Sequence, residues 1–110
     1  CSSKRPDVFI DCGTHNLVIE CDEHAHRGYS CENKRMMQLF VDGGNMRMVL
    51  IRFNPDKSSD SRVGCFVPNQ NGYTLRKTEW EHRSGKLIEV VAQQVSCVPD
   101  KDMTVIELFY

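Results

Sequence analysis

The run Arg47-Met48-Val49-Leu50-Ile51-Arg52-Phe53 is apolar without alternation, and it constrains the fold more than any other stretch of the chain. A strand with one face in water alternates apolar and polar residues, so a continuous apolar run describes a strand covered on both faces. A helical pattern precedes it. Ser30 is a good N-cap, Glu32 falls in the first turn, Met36, Met37, Leu39 and Phe40 are apolar, and Gly43-Gly44 is a stop signal. This predicts about three helical turns, with Glu32 and Arg35 at the polar edge of the face made by Met36, Leu39 and Phe40.

Two β-prone runs stand before that helix, Val8-Phe9-Ile10 and Leu17-Val18-Ile19-Glu20-Cys21, separated by the turn residues Gly13-Thr14-His15-Asn16. They read as a hairpin, and the following strand, helix, strand order implies a right-handed parallel crossover. After Phe53, residues 54–71 read as a long loop interrupted by Val63-Gly64-Cys65-Phe66-Val67. A second helix is predicted from about Thr78 to Val95 despite Gly85, with Trp80 in the core, and Met103 to Phe109 reads as a closing strand. The expected fold is therefore α/β, a mixed central β-sheet flanked by helices.

With 110 residues and 40% hydrophobic content the chain can bury one modest core, so a single domain over residues 1–110 is expected. It reads as soluble, because its longest apolar stretch is far shorter than a membrane span and its first residues lack the apolar region of a signal peptide. The start without Met, six residues before Asp7, suggests a piece of something longer. A formal net charge of -1 rules out a global positive field, so any nucleic-acid contact must come from a local patch. Six Cys at positions 1, 12, 21, 31, 65 and 97 include no CxxC pair, which excludes a zinc ribbon or a CxxC redox motif. A structural zinc held by Cys1, Cys31, Cys65 and Cys97 would require folding to join them; Cys12 and Cys21 fall on the hairpin and are expected to pack.

The ionisable residues concentrate between positions 7 and 35: Asp7, Glu20, Asp22, Glu23, His24, His26, Glu32, Lys34 and Arg35. Side chains alternate along a strand, so Val18, Glu20 and Asp22 share one face. If the hairpin pairs Asp11 with Asn16, the same register sets Asp7 opposite Glu20. Carboxylates from neighbouring strands are the hard oxygen ligands that Mg²⁺ prefers, and they leave positions open for water and phosphate. Asp7 and Glu20 are the natural pair, with the carbonyl of Cys21 as a further ligand. A lone Asp beside Pro is ordinarily a turn former, whereas an unpaired Glu within Leu17-Val18-Ile19 would be costly and points to a role. His26 can take a proton near neutral pH and suits a water-orienting group. His24 and His26, one residue apart, could instead bind zinc with a carboxylate or Cys31. Arg35 pairs with Glu32 or holds phosphate, and Lys34 contacts phosphate or is a solvated helix end.

The runs Arg5-Pro6-Asp7-Val8, Val18-Ile19-Glu20-Cys21-Asp22-Glu23-His24-Ala25-His26, Cys31-Glu32-Asn33-Lys34-Arg35-Met36-Met37 and Leu50-Ile51-Arg52-Phe53-Asn54-Pro55-Asp56 resemble uncharacterised proteins of large DNA viruses and protists. Those are similar to very-short-patch repair endonucleases and the wider PD-(D/E)xK restriction-endonuclease-like superfamily. The resemblance covers residues 1–56 well and the rest more loosely. It implies a restriction-endonuclease-like core and a Mg²⁺- or Mn²⁺-dependent endonuclease acting on DNA, located inside the cell in a nucleus or viral factory and not secreted. Asp7 corresponds to the metal-binding Asp, Glu20 and Asp22 to the second acidic element, His26 to the His after it, and Glu32 with Arg35 to the start of the next helix. The family's first helix is absent from this stretch. Asp22 stands where the family has Lys, and an acid cannot stabilise an attacking hydroxide. Either His26 or a second cation replaces that function, or the domain is an inactive nuclease-fold module that binds nucleic acid or protein, with zinc as a structural option.

Overall fold

The computed structural model describes residues 6–21, 29–57 and 63–110, with the backbone alone for 29–33. Its elements are β1 (Val8–Asp11), β2 (Asn16–Cys21), α1 (Tyr29–Asp42), β3 (Met48–Phe53), β4 (Phe66–Asn69), β5 (Gly72–Leu75), α2 (Lys77–Ser96) and β6 (Met103–Leu108). Four strands form a mixed sheet in the order β1-β2-β3-β6, and β4 and β5 form a separate two-stranded hairpin. β1 runs antiparallel to β2, while β2, β3 and β6 are parallel.

The alternation of side chains sorts the core into two layers. Leu17, Val49, Ile51, Phe53 and Leu108 point to one face, where Val90 of α2 meets them. Val18, Met48 and Leu50 point to the other, where Leu39 of α1 meets them. β3 is therefore clad on both sides, which is why its sequence does not alternate; only Arg52 within it is incompletely buried. Each such fully buried aliphatic side chain contributes about 1.5–3 kcal/mol.

The helices lie on opposite faces although the strand order advances in one direction from β2 through β3 to β6. Two crossovers that step the same way with helices on opposite faces have opposite hands, so only one of them obeys the right-handed rule.

Adjacent residues at the start of β2 tie down one helix each. His15 is buried and its Nε2 lies 2.8 Å from the Gln94 carbonyl near the end of α2. A carbonyl can only accept, so Nε2 carries the proton; in the neutral ring, Nδ1 accepts from the Thr14 hydroxyl at 2.9 Å. Asn16, facing the other way, donates through Nδ2 to the Gly43 carbonyl at 3.0 Å. A Cβ on Gly43 would stand 2.5 Å from Asn16 Nδ2, so only glycine lets the end of α1 approach this closely. Gly44 follows with φ 80°, the left-handed stop anticipated for this helix.

Two expectations are corrected. The stretch after Asn54 is not all loop: Phe66–Asn69 pairs with Gly72–Leu75, joined by Gln70 and Asn71. Asn71-Gly72 is the turn signal that marks it. Trp80 is not a core residue; it is 37% exposed and packs edge-on against Phe53 with ring centroids 6.3 Å apart.

Candidate functional site

β2, β3 and β6 end together, and ligands of sheets with parallel strands gather beyond such carboxyl ends. The register Asp11↔Asn16 is present, and Val8↔Ile19 is the last pair before Asp7. Asp7 consequently reaches the end of β2, where its Oδ2 accepts the backbone N–H of Cys21 at 2.7 Å. Glu20 precedes Cys21, and its carboxylate faces α1. There Arg35 donates through Nε at 2.8 Å and through Nη2, both to Glu20 Oε1. Asp7 Oδ1 and Glu20 Oε2 make no further hydrogen bond among the described residues.

Arg35 forms an ion pair with Glu20, which the strand parity brings to the α1 face; the expected pairing with Glu32 lies outside the described side chains. Lys34 is exposed on α1. Asp22, Glu23, His24 and His26 lie outside the described residues, as do Cys1 and the side chains of Cys31 and Glu32. Among the described residues no group of three or more His, Cys, Asp or Glu could hold a metal ion. Asp7 and Glu20 thus supply two carboxylates at one end of one strand, a partial ligand set that fits a hard cation only if residues 22–28 complete it.

The four-cysteine zinc set does not assemble. The Cys65 carbonyl accepts from Arg76 N at the start of α2, whereas Cys97 follows the end of that helix. A helix of 20 residues is about 30 Å long, far beyond the span of one tetrahedral ion. Cys12 and Cys97 are free thiols. Burial, helped by the neighbouring Asp11 carboxylate, pushes the Cys12 thiol above its ordinary 9.0.

Across the sheet from Glu20, the same register places Arg52 and then Glu107 in one row. Arg52 Nη1 lies 3.4 Å from Glu107 Oε2, and its guanidinium sits 5.2 Å from the centre of the Tyr110 ring. The row joins acids and arginines over three strands on the α1 side.

On the α2 side lies a buried polar knot that motif reading did not identify. Arg83 is fully buried and donates to the carbonyls of Asn54 (2.7 Å), Asp56 (2.7 Å) and Val63 (2.6 Å) and to Glu79 Oε2 (3.2 Å). Its guanidinium also lies 5.0 Å from the Phe109 ring centre. Asn54, equally buried, donates through Nδ2 to the Phe109 carbonyl at 2.9 Å and accepts from Asp56 N at 2.9 Å. Phe109 adopts φ 66°, a left-handed conformation unusual for so bulky a residue, held by contacts to Phe53, His82 and Arg83. The i,i+4 pair Glu79–Arg83, next to Trp80, was the available signal, but it looks like any helix-surface pair until burial is known.

Between this knot and Asp7 opens a cavity of about 620 Å³. Aromatic side chains from four elements line it: Phe53 of β3, Phe66 of β4, Tyr73 of β5 and Trp80 of α2. Asp7 and Asp56 line the same space.

Comparison with family models, curated proteins and solved structures finds no match for the chain. No helix among the described residues is long and apolar enough to cross a membrane.

Proposed function

We propose that the domain is a metal-dependent endonuclease that hydrolyses DNA phosphodiester bonds on a restriction-endonuclease-like core. The observation that supports this reading is the Asp7 carboxylate bonded to the N–H of Cys21, the residue after Glu20. Asp7 and Glu20, with the Cys21 carbonyl and Asp22, would hold Mg²⁺ or Mn²⁺; the ion supplies charge to polarise the phosphoryl oxygen and acidify water. Asp7 is kept at the strand end by the Cys21 N–H, and Arg35 fixes the Glu20 carboxylate through one oxygen. Fixing a carboxylate before substrate arrives avoids reorganisation during the reaction. In this reading His26 positions water and Lys34 offers charge to phosphate, with Arg35 acting on Glu20 instead of on substrate.

Cleavage of duplex, nicked and single-stranded DNA with Mg²⁺ or Mn²⁺ tests it. Wild-type protein should cut, while Asp7→Asn and Glu20→Gln should not. The ion pair that occupies Glu20, together with Asp22 at the position of the family's Lys, favours a second reading: an inactive nuclease-fold module that binds nucleic acid or protein. Absence of metal-dependent cleavage on all three substrates decides for it.

A further inference from the structure

We propose that the cavity beside Asp7 is a nucleobase subsite for adenine, cytosine or guanine, bases that carry an exocyclic amine. Its location rests on the nuclease reading in one respect: a phosphate at Asp7 puts an adjoining base within reach of this space. The walls argue independently. Phe66 and Tyr73 meet edge to face at 6.4 Å and Phe53 and Trp80 at 6.3 Å, so two aromatic pairs on separate elements border one opening. The volume of about 620 Å³ lies in the usual range for small organic ligands, roughly 300–1,000 Å³. A base has two π faces that stack on such rings and a polar edge that must be satisfied.

The edge chemistry comes from the carboxylates. Asp56 lines the cavity and is held there by its backbone, through Arg83 and Asn54. A carboxylate only accepts and has about four lone-pair sites, so it keeps acceptor capacity beside any existing partner. Exocyclic amines of adenine, cytosine and guanine donate to such a group. Thymine offers a single ring N–H flanked by two carbonyls, whose oxygens face the carboxylate unfavourably.

Trp80 is the one tryptophan of the sequence and borders the cavity, so its fluorescence reports binding directly. The test titrates free nucleosides, without phosphate and with EDTA present, into the full chain. Adenosine, cytidine and guanosine should quench saturably, with thymidine roughly tenfold weaker, the order expected for one lost edge contact. Tyr73→Ala should weaken binding by roughly tenfold through lost stacking. Tyr73 is 74% exposed, so the variant retains the fold, which circular dichroism verifies. Asp56→Asn replaces an acceptor with an amide that also donates, and should move the preference toward thymidine. Equal quenching by all four nucleosides, indifference to Tyr73→Ala, or an unchanged preference in Asp56→Asn overturns the proposal. So does saturation by tetramethylammonium with no response to nucleosides, which would make this an organic-cation pocket. Nucleoside binding without DNA cleavage removes the nuclease reading and keeps the subsite; cleavage without nucleoside binding does the reverse.

Discussion

Two polar assemblies sit at the same carboxyl end of the parallel strands and are built on opposite terms. The Arg83–Asn54 knot on the α2 face is sealed: both side chains are fully buried, and backbone carbonyls take most of their donors. The Asp7 carboxylate at the end of the β1–β2 hairpin is open; Asp7 is exposed, and a single hydrogen bond from Cys21 N holds it. A buried cation surrounded by acceptors stabilises one arrangement of chain, because any vacated acceptor loses its partner where water cannot replace it. An exposed carboxylate with acceptor capacity to spare adds little to stability and remains available to an incoming cation. The difference separates a group sealed inside the fold from one that faces solvent.

The largest effect should come from breaking the knot. Arg83→Met strands three carbonyls and Glu79, and should lower unfolding free energy by about 3–5 kcal/mol, the scale for removing one partner of a buried ionic network. Urea denaturation followed by circular dichroism reads this, and a loss below about 1 kcal/mol would put the knot on the same footing as a surface pair.

On the open side the expected loss is of activity. Asp7→Asn retains an oxygen for the Cys21 N–H, so its urea midpoint should match wild type, while metal-dependent cleavage falls by about a hundredfold or more. A shifted midpoint with parallel loss of cutting would mean that Asp7 serves structure.

Glu20→Gln sharpens the contrast within the hairpin. It leaves an acceptor for Arg35 but removes the ion pair, and should cost about 1 kcal/mol or less because both partners are partly exposed. Cleavage should be lost as in Asp7→Asn.

The smallest effect concerns Cys12 at the hairpin turn. Its thiol is held above the ordinary 9.0 when folded, so the unfolded chain ionises first as pH rises past 9. The neutral thiol's contribution to stability is complete below that pH and fades as pH climbs through the higher folded value. Stability of wild type minus Cys12→Ser should therefore decline above pH 9 and be flat below it, as measured by denaturation across pH 7–10.5.

The layered α/β fold was legible in part because its signals are local. The hairpin, both helices and the closing strand follow from apolar spacing and turn residues, and the Asp11↔Asn16 register follows from the hairpin pattern. The β4–β5 hairpin escaped because Phe66–Asn69 and Gly72–Leu75 are only four residues each and Pro68 interrupts the first. Asp7 and Glu20 were found as acids near one strand end. The partner of Glu20 was not, because Arg35 lies fifteen residues away and reaches it only once α1 covers the sheet.

Sequence alone determined the periodicities: which residues of β3 must be covered on both sides, and which face of β2 carries Glu20. These are set by the alternation of side chains along a strand, a property of the local backbone. Tertiary structure alone decided that Arg83 is buried and Trp80 half out, that Cys65 and Cys97 lie at opposite ends of α2, and that aromatic rings from four elements surround one cavity. Burial and proximity depend on which distant segments meet, and no spacing along the chain encodes them.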